Sequence, residues 1–225
     1  MVPESLLELF DAQVRRPNRP DGFYVSKGWS AVLRPPPDGN VEPLVARMRE
    51  LPGWVEWKYY SHDLPPDLPE RLVAAGLEPE DEETVVVAEA ASIPPPPRDL
   101  ELREDVEAFI DLAERIFGRR HGSGFPKDAI PVVACVDGQP VSGGRVDLDP
   151  GVEFAGLFGG VTLPEFRGRG LYKATVARRA ELARERGYRW LYVDALPTSR
   201  PILERLGFVK LTTTTPYVIP AAATR

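Results

Sequence analysis

Leu163-Pro164-Glu165-Phe166-Arg167-Gly168-Arg169-Gly170-Leu171-Tyr172 is the stretch whose reading decides the fold. Before it, Val152 to Leu163 is an apolar, glycine-spaced run that reads as a buried strand. After it, Leu171 to Arg186 carries the pattern of a long helix. A strand that turns through glycines directly into a helix leaves backbone N–H groups unpaired at the helix start, where the helix dipole is positive. Such a turn is an anion site, and phosphate is its usual guest.

Three phosphate or nucleic-acid patterns fail here at identifiable residues. A P-loop requires Gly-Lys-Ser/Thr, which the chain lacks. A dinucleotide fingerprint requires a third glycine, but Gly168-Arg169-Gly170-Leu171-Tyr172 continues to Lys173. An Arg-Gly RNA-binding segment would be repeated and disordered, whereas this one is single and set between strongly periodic elements.

The 225 residues suffice for one large domain or two small ones. A formal net charge of −6 argues against general nucleic-acid binding, which needs a basic face. The single cysteine, Cys135, excludes an intrachain disulfide and any cysteine-cluster zinc site. It lies in Val132-Val133-Ala134-Cys135-Val136 and reads as a packed thiol. No signal peptide or membrane span is legible, so the expectation is a cytoplasmic protein without membrane attachment. His62 and His121 read as separate loop residues, and no metal site is expected.

In order, residues 5–16 predict an amphipathic helix, with Ser5 as a candidate N-cap. Tyr24-Val25 and Trp29 to Leu33 predict two short strands, and Pro43 opens a helix. The aromatic run Trp54 to Tyr60 predicts a strand in which packing outranks binding. Asp67-Leu68-Pro69-Glu70 has capping-box spacing and starts a helix that Gly76 ends; Thr84 to Ala88 is a further strand. The run Pro94 to Pro97 reads as a stiff linker, placing a boundary near residue 97 and dividing the chain into 1–97 and 98–225. Beyond it come a helix from Glu104 to Phe117, a loop at Arg119 to Gly124, and a hairpin turning at Asp137-Gly138. The long helix follows the opening stretch, and Gly187 ends it. Tyr188 to Val193 is a strand, and Arg200 to Leu206 a short helix closed by Gly207. Two closing strands, Phe208 to Leu211 and Pro216 to Ile219, are joined through Thr212 to Thr215. The order predicts an α/β (α+β) architecture, a mixed sheet with helices on both sides.

An internal echo relates residues 43–88 to 176–219. Leu72, Gly76, Thr84 and Val87 fall on Leu203, Gly207, Thr215 and Val218 at constant offset. Any α/β chain repeats such a cycle, but the echo also fits an ancestral duplication whose first copy lost its phosphate turn.

The opening stretch resembles the Arg-x-x-Gly-x-(Gly or Ala) pyrophosphate loop of the GNAT acyltransferases, with its Pro, aromatic and Arg-Gly-x-Gly spacing. Pro201-Ile202-Leu203-Glu204-Arg205-Leu206-Gly207-Phe208 resembles the family's helix ending in Leu-Gly-Phe. The resemblance covers about residues 98–220 and implies the GNAT fold, a mostly antiparallel sheet flanked by helices. The whole layout is similar to acetyltransferases of two GNAT-like halves, implying a degenerate N-terminal half.

This resemblance implies acetyl transfer from acetyl-CoA, with no metal, to a small-molecule or peptide amine; a homodimer is left open. It further implies that Arg167, Gly168, Arg169, Gly170, Leu171 and Tyr172 wrap the pyrophosphate. Val161 and Thr162 would pair with the pantetheine arm, and one of their N–H groups would polarise the thioester carbonyl. Three positions depart from the family pattern. Tyr172 replaces the last small residue of the loop, which a side chain directed away from the phosphates would permit. Ser199 stands where an Asn often binds cofactor, and also fits a plain N-cap. Leu203 replaces a tyrosine often used as the acid. Asp194, closing the fifth strand, and Glu153, opening the fourth, are candidate bases, and Tyr217 is a candidate acid. Two rival readings keep the fold without the chemistry: a non-catalytic acyl-CoA-binding or sensor protein, and an interaction protein that binds no CoA.

Overall fold

The computed structural model describes residues 4–26, 29–117 and 125–220. These form two compact units, one of the described residues between 4 and 84 with 212–220, the other of those between 85 and 211. His121 and the Arg119-Arg120 pair lie outside the described residues.

The first unit opens with α1 (Glu4–Gln13), β1 (Tyr24–Ser26), β2 (Trp29–Val32), α2 (Glu42–Met48) and β3 (Trp54–Tyr60). It continues through α3 (Leu68–Ala74) and β4 (Glu78–Pro79) into β5 (Glu83–Glu89), most of which belongs to the second unit. The second unit adds β6 (Glu101–Arg103), α4 (Val106–Phe117), β7 (Ala129–Val136), β8 (Gln139–Asp147), β9 (Phe154–Thr162), α5 (Leu171–Glu185), β10 (Trp190–Ala195) and α6 (Arg200–Glu204). The last strand, β11 (Val209–Val218), begins there and carries residues 212–218 back into the first unit.

In the first unit β2 pairs antiparallel with β1 and parallel with β3, and β11 pairs antiparallel with both β3 and β4. Its core gathers Phe23, Val45, Met48, Trp57, Leu68, Leu72 and Tyr217. The sheet of the second unit runs β5-β10-β9-β8-β7-β6. Only β9 and β10 pair in parallel among the pairs from β6 to β10. A right-handed crossover through a helix is what a parallel pair needs, and α5 supplies it. The mixed, mostly antiparallel sheet flanked by helices is the architecture the element order implied.

Several expectations need correction. The four threonines do not join two strands. Thr212 to Thr215 lie within the continuous β11, because β-branched side chains suit a pleated surface and no turn residue interrupts them. The run Pro94 to Pro97 lies inside the second unit rather than between units, since Ala90 and Ile93 are already in that unit's core. Asp67 makes no cap bond and instead accepts from Arg71 Nε at 3.0 Å. Ser5 lies inside α1 rather than before it. Val106, the first residue of α4 and apolar, is exposed, while Phe109, Leu112 and Ala113 are buried. The cap of that helix is Asp105, whose carboxylate accepts from the Ala108 N–H at 3.0 Å.

His62 is not a solvated loop residue. Its Nδ1 meets Thr212 Oγ1 at 3.0 Å and its Nε2 lies 3.1 Å from both carboxylate oxygens of Asp11. Beside it Arg15, 1 % exposed, donates to Leu33 O and to Asp11 and Asp63, and its guanidinium sits 4.0 Å over the Tyr60 ring. Burial pushes the Asp11 carboxyl up, but His62 and Arg15 outweigh it, and the net displacement is downward. A carboxyl depressed in the folded state stabilises above its unfolded pKa of about 3.9 and loses that contribution as pH falls through the folded value. Urea unfolding at pH 7 and pH 3 should therefore show a smaller acid loss of stability in Asp11→Asn than in the parent chain; equal losses would refute the assignment.

Candidate functional site

The turn between β9 and α5 is built as an open helix start. Leu163 leads into a single 3-10 turn, Pro164–Phe166, and Gly168 and Gly170 then take φ of +76° and +78°. Gly170 is the N-cap of α5 and brings no side-chain acceptor. Among the described residues, the first helix N–H to find a carbonyl is that of Ala174, on Gly170 O at 3.0 Å. The preceding N–H groups therefore point out of an exposed turn at the positive end of a fifteen-residue helix. A Cβ on Gly168 or Gly170 would meet nothing within 4 Å, so both α-carbons border open space. Arg167 Nε donates to Thr162 O at 3.3 Å, and the Arg169 guanidinium lies 5.0 Å from the Phe166 ring centroid. Both cations are held beside the turn. Lys173, unremarked in the sequence reading, adds a third, exposed in the first helical turn.

Behind the turn, β9 and β10 part. Their parallel register runs from Trp190↔Phe154 to Tyr192↔Gly156, while both strands continue beyond it. On the other edge β9 stays paired with β8 up to Ser142↔Thr162. Between Gly143↔Val161 and Arg145↔Phe158 the register slips, so that Gly159 and Gly160 stand opposite Gly144 alone. This is a β-bulge, with Gly159 at φ +63°. The Leu163 N–H donates to Val141 O on β8, so by strand alternation the N–H groups of Thr162 and Gly160 point to the other edge, into the gap.

Glycine is required around the bulge for lack of space. A Cβ at Gly143 or Gly159 would meet Phe109 at 3.3 and 2.9 Å, on the α4 face. On the α5 face, one at Gly160 would meet the Tyr172 ring at 2.8 Å, and one at Gly144 the Arg179 guanidinium at 2.6 Å. Tyr172 thus turns inward, away from the open turn, which is how the loop tolerates it. On the α4 face Phe158 packs edge-on to Tyr192 at 5.5 Å, and the Arg145 guanidinium lies 5.4 Å over Phe158. Arg145 Nε also donates to Asp147 at 2.8 Å. Burial pushes the Asp147 carboxyl up, with Arg145 drawing it back only in part.

The structure brings Val161, Thr162 and Arg167 to Tyr172 together at one end of β9. Asp194 sits on the splayed part of β10, half-buried, two residues beyond Tyr192 and so on the same face. Glu153 is not brought to the turn. It precedes β9 at the opposite end, where its carbonyl accepts from the Arg189 and Trp190 N–H groups, and the nine-residue strand, at about 3.3 Å per residue, carries the chain from it to Thr162. Tyr217 belongs to the first unit, buried and edge-on to Tyr59, and burial pushes its phenol up. Ser199 is the N-cap residue of α6, but its hydroxyl donates to Leu196 O at 3.2 Å rather than capping. Leu203 is fully buried in the second unit's core. Cys135 is buried as expected, and its thiol is pushed up by that burial.

The glycine pairs of the bulge and Arg179 went unread in the sequence. Helical spacing places Arg179 on the face of Tyr172 and Thr175 but does not say that this face is buried. Among the described residues, no three His, Cys, Asp or Glu side chains stand together as metal ligands, and no helix is long and apolar enough to cross a membrane.

An open helix start beside a bulged strand that parts from its parallel neighbour is the arrangement these residues make. Residues 82–208 match the family model described as Acetyltransferase (GNAT) family, and the chain belongs to that family. No curated protein matches it in sequence. A GCN5-related N-acetyltransferase from Kribbella flavida superposes with a TM-score of 0.69 at 17 % identity, over 98 % of this chain and 96 % of that one. A GNAT-family acetyltransferase from Novosphingobium aromaticivorans gives 0.60 at 17 %, covering 90 % and 86 %. A tandem GNAT protein from the clavulanic acid biosynthesis pathway gives 0.56 at 15 %, covering 87 % and 77 %. At these identities the likeness is one of fold.

Because the Arg179 guanidinium is held on several sides, Gly144→Ala forces strain that the neighbour cannot relieve by moving away. It should cost about 1–3 kcal/mol in chemical denaturation. Unchanged stability would show that the guanidinium is free to shift.

Proposed function

We propose that the chain is an N-acetyltransferase that moves an acetyl group from acetyl-CoA to a primary amine of a small molecule or peptide. The observation that carries this reading is the juxtaposition of the open helix start with the gap between β9 and β10. The backbone N–H groups from Gly168 to Lys173 cradle the pyrophosphate, and Arg167, Arg169 and Lys173 add charge around it. Acetyl-CoA, when bound, supplies the activated acetyl thioester. The Thr162 and Gly160 N–H groups face the gap as strand-edge donors, one pairing with the pantetheine arm and the other polarising the thioester carbonyl.

Asp194, on the splayed part of β10, is the candidate proton acceptor for the amine, and Glu153 is too distant to share that role. No acid is assigned, since Leu203 cannot donate a proton. A thiol leaving group with a pKa near that of free cysteine, about 8.5, departs without one at modest cost.

The first unit is read as a degenerate GNAT-like half. Its β2-α2-β3 crossover repeats the parallel β9-α5-β10 arrangement, while the connection from β2 to α2 carries Pro35-Pro36-Pro37 instead of an Arg-Gly-x-Gly turn. The tandem GNAT fold neighbour agrees with this reading.

Calorimetry and thermal melts test the proposal. Acetyl-CoA at about 100 times its Kd should add roughly 2.7 kcal/mol and raise the melting transition by several degrees. Arg167→Ala combined with Gly170→Glu should abolish that shift, and unchanged affinity would overturn the reading. Thiol release across a panel of amines separates the enzyme from a non-catalytic acyl-CoA-binding protein, which would show the melting shift alone.

A further inference from the structure

Arg179 is 1 % exposed, in the middle of α5, where a cation is costly to bury. Its bonds go to a specific set of atoms. Nε donates to Thr175 O at 3.0 Å, and Nη1 donates to Arg145 O at 3.1 Å and Phe158 O at 3.5 Å. Arg145 and Phe158 are the register partners that close one side of the bulge. Burial opposes the guanidinium's charge, and the Tyr172 phenol is the first of the groups that support it. Tyr172 in turn is placed by the main chain of the opening turn, its ring against Gly160. The Thr175 hydroxyl ties the two residues together, donating to Tyr172 O at 2.9 Å and lying 3.5 Å from Arg179 Nη2.

We propose that Arg179 is a buried positioning residue that sets the shape of the β9 bulge and so aims the Thr162 and Gly160 N–H groups into the gap. The inference rests on the reading of that gap as the thioester site. A bulge interrupts the strand ladder and leaves flanking carbonyls in need of donors. The guanidinium spreads its donors over two positions, Nε on Thr175 O and Nη1 on Arg145 O and Phe158 O, and neither a single ammonium nitrogen nor a thioether can occupy both. Tyr172 fills the space that Gly160 leaves, and its main-chain carbonyl holds the Thr175 hydroxyl beside the guanidinium. Arg179 does not touch the reacting atoms and acts through the bulge.

Infrared difference spectra of bound acetyl-CoA, carbonyl-labelled with carbon-13, test this without an identified acceptor. In the parent chain the acetyl band should lie below its frequency in free acetyl-CoA, reporting a polarised carbonyl. Arg179→Met removes the fork and its charge, and Arg179→Lys keeps the charge without the fork. Both should return the band toward the free value, while CoA lacking the acetyl group still binds within about a factor of three of the parent. A merely structural residue would leave the band unchanged in any folded variant, or would lose CoA affinity in step with melting temperature. Either result overturns the proposal. If Arg179→Met fails to fold, Arg179→Lys decides. If the parent chain shows no acetyl-CoA binding by calorimetry, the underlying function fails, and this inference with it. Binding with an unaltered band in the variants overturns only the positioning role.

Discussion

The second unit depends on β9 holding one neighbour while releasing the other. A strand in mid-sheet normally satisfies its backbone on both edges, and a buried N–H left without a partner is costly. Here β9 keeps β8 along its length but pairs with β10 only up to Gly156. The next residues must then be open to a ligand or to water. The bulge at Gly159-Gly160 resolves this locally by shifting register, which frees one edge without unzipping the other. Phe109 from one face and Arg179 with Tyr172 from the other fill the volumes that four glycines leave. Interior packing of this kind has discrete solutions, so the gap is a fixed feature of the core.

The opening turn and the gap are two ends of one device. The turn needs left-handed residues at Gly168 and Gly170 so that the helix begins with its N–H groups outward. The strand that feeds it needs small residues for a different reason, which is room for the side chains of α5 and α4. The same residue type thus answers a backbone constraint in one place and a packing constraint a few residues earlier. Tyr172 belongs to both settings, since its main chain begins the helix and its ring closes over the strand.

Much of this was legible in the chain itself. The strand-glycine-helix sequence from Val152 to Arg186, the Asp137-Gly138 hairpin and the helix over about Glu104 to Phe117 follow from period and turn chemistry. The helix start follows as well, because backbone geometry there is governed by two glycines. Arg179 was not legible, because an arginine beside another in Ala177-Arg178-Arg179-Ala180 reads as a solvated face, and only tertiary packing separates the buried one from its neighbour. His62 was misjudged for the same reason: its partners Asp11, Arg15 and Thr212 are remote in sequence. The threonine run misled through composition, since four polar residues suggest a loop while their β-branching favours a strand. Asp194 and Glu153 look equivalent as strand-end carboxylates, and only the direction of each strand tells them apart.

The routing of β5 and β11 carries a consequence for how the chain can be divided. β5 follows the elements of the first unit yet lies beside β10 in the second unit's sheet, and β11 follows those of the second yet lies on β3 in the first. Each sheet is finished by a strand that comes from the other stretch of sequence. A cut at the four-proline run would give a piece ending near residue 97 with no partner on that side of β3, and a piece beginning there with β10 bared as an edge. Exposed edges of this kind recruit other strands, so two such fragments are candidates for complementation on mixing and for aggregation when expressed alone. β3 therefore keeps a bare edge until β11, encoded after all the other strands of the second unit, has been made.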